Sequence, residues 1–417
     1  MGLKRHGTVS EEYRVLIASS IYPPQIGGPA VQAELFARKL SRRGVDVRVL
    51  TYGPPPKAMC DVRVEYLDHT GGRGPVAASR RHFRIARQVS RLFREFRPHA
   101  VQMQTAGGLF PLTVGIIARF CGIPSWVKFA GDPVLETVSR QQSSGADEDA
   151  KRWRSHVRVA VAKLFARLVF RTYRFVWVTT PAIAEELSSR WAISRDRIVI
   201  EPNLVEFGDR PADRRPRTAG GLATPLRLLM VTRLDPIKGV DVAIRALAQV
   251  SGCSAVLRVV GEGQPRYVDH LRSIAEELGV SDRIEWAGPV AREKLSEEYR
   301  SADLLIVPSH YETFGVVIVE AMAAGLPVIA SNVGGVSNVV DGGRYARLVE
   351  PGDPAALARG IAELAGDPDE MARLSRQGPG RATQFDAEAG VERWLEIYRA
   401  SGSAKDYPLV RSGMVKD

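Results

Sequence analysis

At 417 residues, 45% hydrophobic and 25% charged, the chain is long enough for two ordinary domains, and its composition excludes a disordered or fibrous class. No apolar stretch approaches the ~20 residues that span a bilayer, and the start lacks the apolar segment of a secretory signal, so a cytoplasmic location is expected. The net charge of +11 is unevenly placed, residues 1–200 carrying +16 and residues 201–417 carrying −5. Halves of opposite sign suggest two domains, the basic one facing nucleic acid, a lipid surface or an acidic acceptor. Cys60, Cys121 and Cys253 are odd in number and in no ligand spacing, which argues against a disulfide frame or a zinc site.

Residues 14–20 read as a first strand, followed by Pro23-Pro24-Gln25-Ile26-Gly27-Gly28-Pro29 and a helix through Leu40 that Gly44 ends. A glycine pair between strand and helix lets backbone approach a phosphate or sugar, though an ordinary turn uses glycine too. Strand-like runs at 45–51, 62–67, 100–104 and 126–129 alternate with helical patterns, which implies a parallel, doubly wound sheet. In the helix over 79–96, Arg80, Arg84, Arg87, Arg91 and Arg94 fall on one face, and Ile85, Val89, Leu92 and Phe96 on the other. That pattern fits a core-facing helix with a solvated basic face. It also fits contact with anionic lipid, where each cation near the surface contributes about 1 kcal/mol. A second basic segment, 152–174, carries Trp153, Phe165, Phe170 and Tyr173 among its cations.

Residues 208–225, rich in Arg, Pro, Asp and Gly, read as a linker, and 226–231 begins a second series of strands. That strand leads into Thr232-Arg233-Leu234-Asp235-Pro236-Ile237-Lys238-Gly239. Cations at a helix start oppose the dipole, which argues for a function rather than a chance surface pair. Val259-Val260-Gly261-Glu262-Gly263 is a strand and glycine turn that fails as a dinucleotide fingerprint, because Arg266 stands where a third glycine belongs. Next comes an apolar strand, 304–307, closed by Pro308, then a loop carrying Glu312 and a short helix carrying Glu320. Such a unit aims helix-start N–H groups outward as an anion seat. If largely helical, the seven residues between the glutamates would span about 10 Å. Asp147-Glu148-Asp149 and Asp367-Pro368-Asp369 read as solvent-facing turns, so no metal site is expected. Residues 387–398 form an amphipathic helix with Trp394, Leu395 and Tyr398.

The stretch around Glu312 and Glu320 resembles the signature of family 4 retaining glycosyltransferases with the GT-B fold. It matches their Pro-Ser-x-x-Glu-x-x-Gly and Glu-Ala-x-Ala-x-Gly-x-Pro-Val patterns, with two glutamates seven residues apart. The Arg233 to Lys238 segment resembles the family's Gly-Arg-Leu…Lys-Gly, with Thr232 in place of glycine. The resemblance implies an α/β chain of two Rossmann-like doubly wound domains facing across a cleft. Residues 1–207 would bind the acceptor, 208–225 link, and 226–386 bind the nucleotide sugar. Residues 387–400 would cross back to the first domain, and 401–417 form a flexible tail.

It further implies that Arg233 and Lys238 hold the diphosphate of the donor, beside Gly27, Gly28, Gly261 and Glu262, with the Val290 backbone on the base. Glu312 would hold the donor sugar and Glu320 the ribose, while Phe314, Gly315 and Val316 give backbone N–H groups to sugar and phosphate. Many members have a histidine near the sugar where this chain has Gly131-Asp132. Asp132 either joins Glu312, Arg233 and Lys238 in catalysis or caps the next turn. The implied reaction is metal-independent hexosyl transfer with retention, needing no cofactor beyond the nucleotide diphosphate-sugar, in polysaccharide or glycolipid biosynthesis. A glycan or lipid-linked acceptor is the expected partner, with peripheral contact to a membrane through the five arginines and no nucleic acid, for which no motif is present. A nucleotide-sugar epimerase and a non-catalytic nucleotide-sugar-binding module are the alternatives.

Overall fold

The computed structural model describes residues 13–25, 27–53, 62–67, 75–132, 135, 148–207 and 225–402, and for 75–78, 148–158 and 402 the backbone alone. The first sheet holds β1 (Arg14–Ser19), β2 (Asp46–Tyr52), β3 (Arg63–Leu67), β4 (Ala100–Met103), β5 (Ser125–Lys128), β6 (Phe175–Val178) and β7 (Ile198–Ile200), in the order 3-2-1-4-5-6-7. The second holds β8 (Leu226–Val231), β9 (Ala255–Val260), β10 (Ile284–Gly288), β11 (Leu304–Val307), β12 (Val328–Ser331) and β13 (Arg347–Val349), in the order 10-9-8-11-12-13. Every strand pairing is parallel, so both faces of each sheet need helical cover. Central strands such as β4, β5, β6, β11 and β12 are accordingly buried at every position.

The helices of the first half are α1 (Gly28–Ser41), α2 (Pro75–Phe96), α3 (Leu109–Phe120), α4 (Glu148–Thr172) and α5 (Pro181–Trp191). Those of the second are α6 (Val240–Gln249), α7 (Pro265–Glu277), α8 (Leu295–Ser301), α9 (Val316–Ala323), α10 (Val336–Val339), α11 (Pro354–Gly366), α12 (Pro368–Ala382) and α13 (Ala387–Gly402). On α2, Ile85, Val89, Leu92 and Phe96 are buried and Arg80, Arg84, Arg87, Arg91 and Arg94 are exposed, as the 3.6-residue period dictates. One face of the first sheet is covered by α2 to α5. The other is covered by α1 together with α13, the last helix of the chain.

That return of α13 fastens the two halves. Trp394 lies edge-on to Trp177 at 4.8 Å and to Phe36 at 5.8 Å, and the Tyr398 hydroxyl donates to Gln102 Oε1 at 2.7 Å. Buried aromatics of this size dominate the energetics of such a contact. Most of the 208–225 segment lies outside the described residues, as do 403–417 and Asp147. Asp367 turns out to cap α12, its carboxylate accepting from Glu370 N at 2.9 Å, and Asp369 is exposed.

Candidate active site

The loops at the C-terminal ends of the second sheet's strands converge. After β8, the Asp235 carboxylate accepts from Ile237 N at 3.2 Å and so shapes the short helical turn that ends in Lys238. His310 N then donates to Ile237 O at 2.8 Å, joining this loop to the one after β11. Lys238 Nζ consequently reaches Glu312 Oε2 at 2.6 Å, both side chains being largely buried. Arg233 stands on the same loop, 59% exposed, with Nη2 3.6 Å from Asp235 Oδ2. A largely buried lysine and a more exposed arginine on one loop form a place for an anion with more than one charge.

Close backbone approach sets these loops. At Gly261, with φ +142, an added Cβ would stand 1.7 Å from Thr232 O, so the glycine turn lets the Arg233 loop lie against it. Leu234 N donates to Glu262 O at 2.8 Å across the same contact. At Gly334, with φ +50, a Cβ would stand 2.0 Å from Glu312 O, and Gly335 N donates to that same oxygen at 3.0 Å. The peptide of Glu312 is thus clamped from behind by a glycine pair.

The two glutamates differ in kind. Burial pushes the Glu312 carboxyl up, but Lys238 and the N–H groups of Phe314 and Gly315 outweigh it and hold Glu312 below the ordinary carboxylate range. Those two N–H groups, expected to serve sugar and phosphate, are here turned on Glu312 itself. The Phe314 ring is fully buried, edge-on to Phe385 at 5.3 Å. At Glu320, burial wins and raises the carboxyl, although the Tyr299 hydroxyl donates to Oε2 at 2.7 Å and Arg292 lies 3.9 Å from Oε1. Of the seven residues between the glutamates only Val316 to Val319 are helical, so the largely helical spacing used for the 10 Å expectation does not hold.

Glu320 lines a cavity of about 510 Å³ between α9 and α1, with Val31, Arg38, Phe207, Arg292 and Tyr299 also on its walls. Gly27 and Gly28 open α1 one turn before Val31, whose N–H donates to Gly27 O at 3.1 Å. Val290 is half-buried after β10, two residues before Arg292. From the first domain, Thr179 Oγ1 donates to Thr313 O at 2.8 Å and Thr313 Oγ1 donates to Ala130 O at 3.3 Å, so the Glu312 loop is held across the cleft. Asp132 is fully buried, with Oδ2 2.7 Å from Arg190 Nη1 and Oδ1 accepting from Leu135 N at 3.4 Å. Arg190 also meets Glu186, which accepts from the Tyr311 hydroxyl at 3.0 Å. The chain of contacts Asp132–Arg190–Glu186–Tyr311 therefore ends one residue before Glu312. Among the described residues, no group of three or more His, Cys, Asp or Glu is arranged to hold a metal ion.

These loops, on this pair of sheets, are matched by two family models. The first, glycosyl transferases group 1, matches residues 217–381, and the second, glycosyl transferase 4-like domain, matches residues 27–203. The D-inositol 3-phosphate glycosyltransferase of Acidothermus cellulolyticus is 37% identical over 229 residues, 52% of this chain and 51% of its own length. That of Mycolicibacterium smegmatis is 37% identical over 238 residues, 55% of this chain and 53% of its own length. The chain thus matches about half the length of these curated relatives. Sucrose-phosphate synthase from Thermosynechococcus elongatus superposes with a TM-score of 0.76 at 22% identity, covering 94% of this chain and 100% of that one. Anabaena Alr3699/HepE in complex with UDP and glucose superposes with a TM-score of 0.72 at 20% identity, covering 93% and 99%. The protein belongs to the group 1 glycosyltransferases, and its two Rossmann-like domains form the GT-B fold.

Proposed function

We propose that the protein transfers a hexosyl group from a nucleotide diphosphate-sugar to an acceptor with retention of configuration and without a metal ion. The observation that carries this reading is the pairing of Lys238 with Glu312, flanked by Arg233, at the strand ends where an open α/β sheet binds ligands. Lys238 and Arg233 receive the diphosphate, and Glu312, released from Lys238 by it, accepts hydrogen bonds from the sugar hydroxyls. The bond from the anomeric carbon to the diphosphate oxygen breaks as the acceptor oxygen bonds to the same face. The acceptor proton passes to the departing diphosphate, whose growing charge the two cations stabilise. Glu320 takes the ribose hydroxyls, and Asp132 orients Arg190 and Glu186 behind the Glu312 loop.

The relatives named for D-inositol 3-phosphate, together with the +16 on residues 1–200, support an acceptor that bears phosphate or is otherwise anionic. The structural neighbour that holds UDP and glucose supports a UDP-hexose as the first donor to try. The same basic half supports a peripheral position on the inner face of a membrane, and no described helix is long and apolar enough to cross one. The test incubates the protein with UDP-glucose and a phosphorylated polyol, with and without chelator. Nucleotide release and a product of the donor's anomeric configuration, unchanged by chelation, are expected. An inverted product overturns retention, and an altered free sugar nucleotide without acceptor identifies an epimerase instead. Donor binding without nucleotide release identifies a binding module.

A further inference from the structure

We infer that the outer surface formed by α2, α3 and α4 seats on an anionic lipid bilayer, with apolar side chains entering the headgroup region between flanking cations. This deepens the peripheral position proposed above and rests on it. Of the eight large apolar side chains standing exposed among the described residues, seven lie on these three helices. Phe83 is 71% exposed on α2, Phe120 88% on α3 and Leu164 71% on α4. Ile116 shares a face of α3 with Phe120, and Val161 and Leu168 share one of α4 with Leu164, by their spacings of three, four and seven. Scattered single apolar residues need no explanation, but a set concentrated on adjoining helices marks an interaction surface.

The helices are neighbours. Thr113 Oγ1 lies 3.1 Å from His82 Nε2 between α3 and α2, while Thr172 of α4 abuts Gly115 of α3. Cations border the apolar strip on both sides. Arg80, Arg84, Arg87, Arg91 and Arg94 are exposed along α2, where Glu95 is the one acidic residue and pairs with Arg91 at 2.6 Å. Lys163, Arg167 and Arg171 are exposed along α4, and α3 adds Arg119 with no acidic residue. An apolar strip edged by cations matches the acyl and phosphate layers of an anionic leaflet, whereas an acidic polymer would engage the cations alone. The strip also begins at the right end of the domain. Leu109, 50% exposed, follows Gly107-Gly108 after the C-terminal end of β4, the strand paired with β5, whose own C-terminal end leads to Asp132. An acceptor anchored in the same bilayer would thus meet the cleft edge-on.

The test is flotation of the full chain with vesicles of phosphatidylcholine alone or mixed with phosphatidylglycerol, at low and moderate salt. Binding to the mixed vesicles only, weakened by salt, is expected. Replacing Phe83, Phe120 and Leu164 together by serine leaves the charge unchanged and should weaken binding at least about tenfold. Replacing Arg80, Arg84 and Arg87 together by glutamine should weaken it on the order of a hundredfold, about fivefold per cation. Absence of wild-type binding at low salt overturns the inference, as does apolar-variant binding equal to wild type. A concentration-dependent dimer that the apolar variant abolishes overturns it too, assigning the face to a second copy. Both variants should turn over a soluble acceptor like wild type without vesicles. If wild type itself releases no nucleotide there, the transferase reading fails while the flotation result stands on its own.

Discussion

The two sheets share a winding order, with the first strand at the centre and the chain running outward on both sides, yet they use charge in opposite ways. Around the second sheet, charged groups are paired and partly hidden: Lys238 on Glu312, Arg292 near Glu320, Arg258 on Glu298. On the helices of the first, cations stand in excess and exposed, most plainly on α2, with six arginines to one glutamate. A half-buried pair holds its groups at fixed separations and can be reopened only by a ligand of the right charge. An exposed surplus fixes no geometry but raises the local concentration of any anionic surface. One architecture therefore carries both a set of geometrically fixed charge pairs and a loosely specified surface field, and the difference lies in burial rather than in fold.

Removing the fixed cation should break that contrast most. Lys238→Ala should lower kcat/KM by about 10²–10³, some 3–4 kcal/mol of transition-state stabilisation, in steady-state assays with donor in excess. Arg84→Gln on the first domain should change turnover of a soluble acceptor by less than about twofold. Comparable losses in the two variants would show that the halves do not divide the work in this way. Next in size is backbone fit. Gly261→Ala puts a Cβ 1.7 Å from Thr232 O and should cost about 3 kcal/mol or more by denaturant unfolding. Gly28→Ala meets nothing within 4 Å and should stay within about 0.5 kcal/mol. If Gly28→Ala nevertheless loses activity at unchanged stability, donor approach to that glycine is the remaining cause.

Those glycines also mark how far the sequence could be read. Strand runs, the amphipathic arginine helix and the loop–helix carrying Glu312 and Glu320 are local patterns, and each appears in the structure near the residues that announce it. The contact chain Asp132–Arg190–Glu186–Tyr311 is not local. Arg190 and Glu186 sit on α5 at an ordinary helical spacing of four, and only the closing of the two domains brings them to Tyr311. Gly334-Gly335 has the composition of an ordinary turn, and the packing of Gly334 on Glu312 O depends on where β12 lies beside β11. Tyr299 and Arg292 were missed for the same reason, since nothing in α8 or the turn before it points toward Glu320 until the sheet is assembled.

Lys128 stands in the strand-like run 126–129, and the fold makes it a titration probe of the first domain. It is buried on β5, donates to Asn203 Oδ1, and stands 4.2 Å above the Trp177 ring. Burial pushes its amine down to about 7 from 10.5. Between those values the unfolded chain binds more protons than the native one, so stability from this group rises with pH. The gain should be about 2 kcal/mol from pH 7 to 9. Lys128→Met should flatten that slope in unfolding titrations, and an unchanged slope would mean the amine stays charged in the native state.

The smallest expected effect comes from one of the places where the first domain does pair its charges. Glu206 follows β7, accepts from Arg38 of α1, and lies 2.7 Å from Lys39, which also pairs with Glu388 of α13. The hydrogen bond from Arg38, against the opposing effect of burial and with help from Lys39, lowers Glu206 to about 2 from its ordinary 4.5. A depressed carboxyl stabilises the fold fully above the unfolded value and loses that contribution as pH falls from about 4.5 toward 2. Because the pair is partly exposed, solvent screening cuts the contribution to on the order of 1 kcal/mol. Glu206→Gln should therefore leave less acid sensitivity in that window, read from unfolding midpoints at pH 5 and pH 3. An equal midpoint shift in wild type and variant would place the acid-sensitive pairs elsewhere, and the junction between the sheets would then owe its rigidity to the Trp394 contacts of α13 rather than to charge.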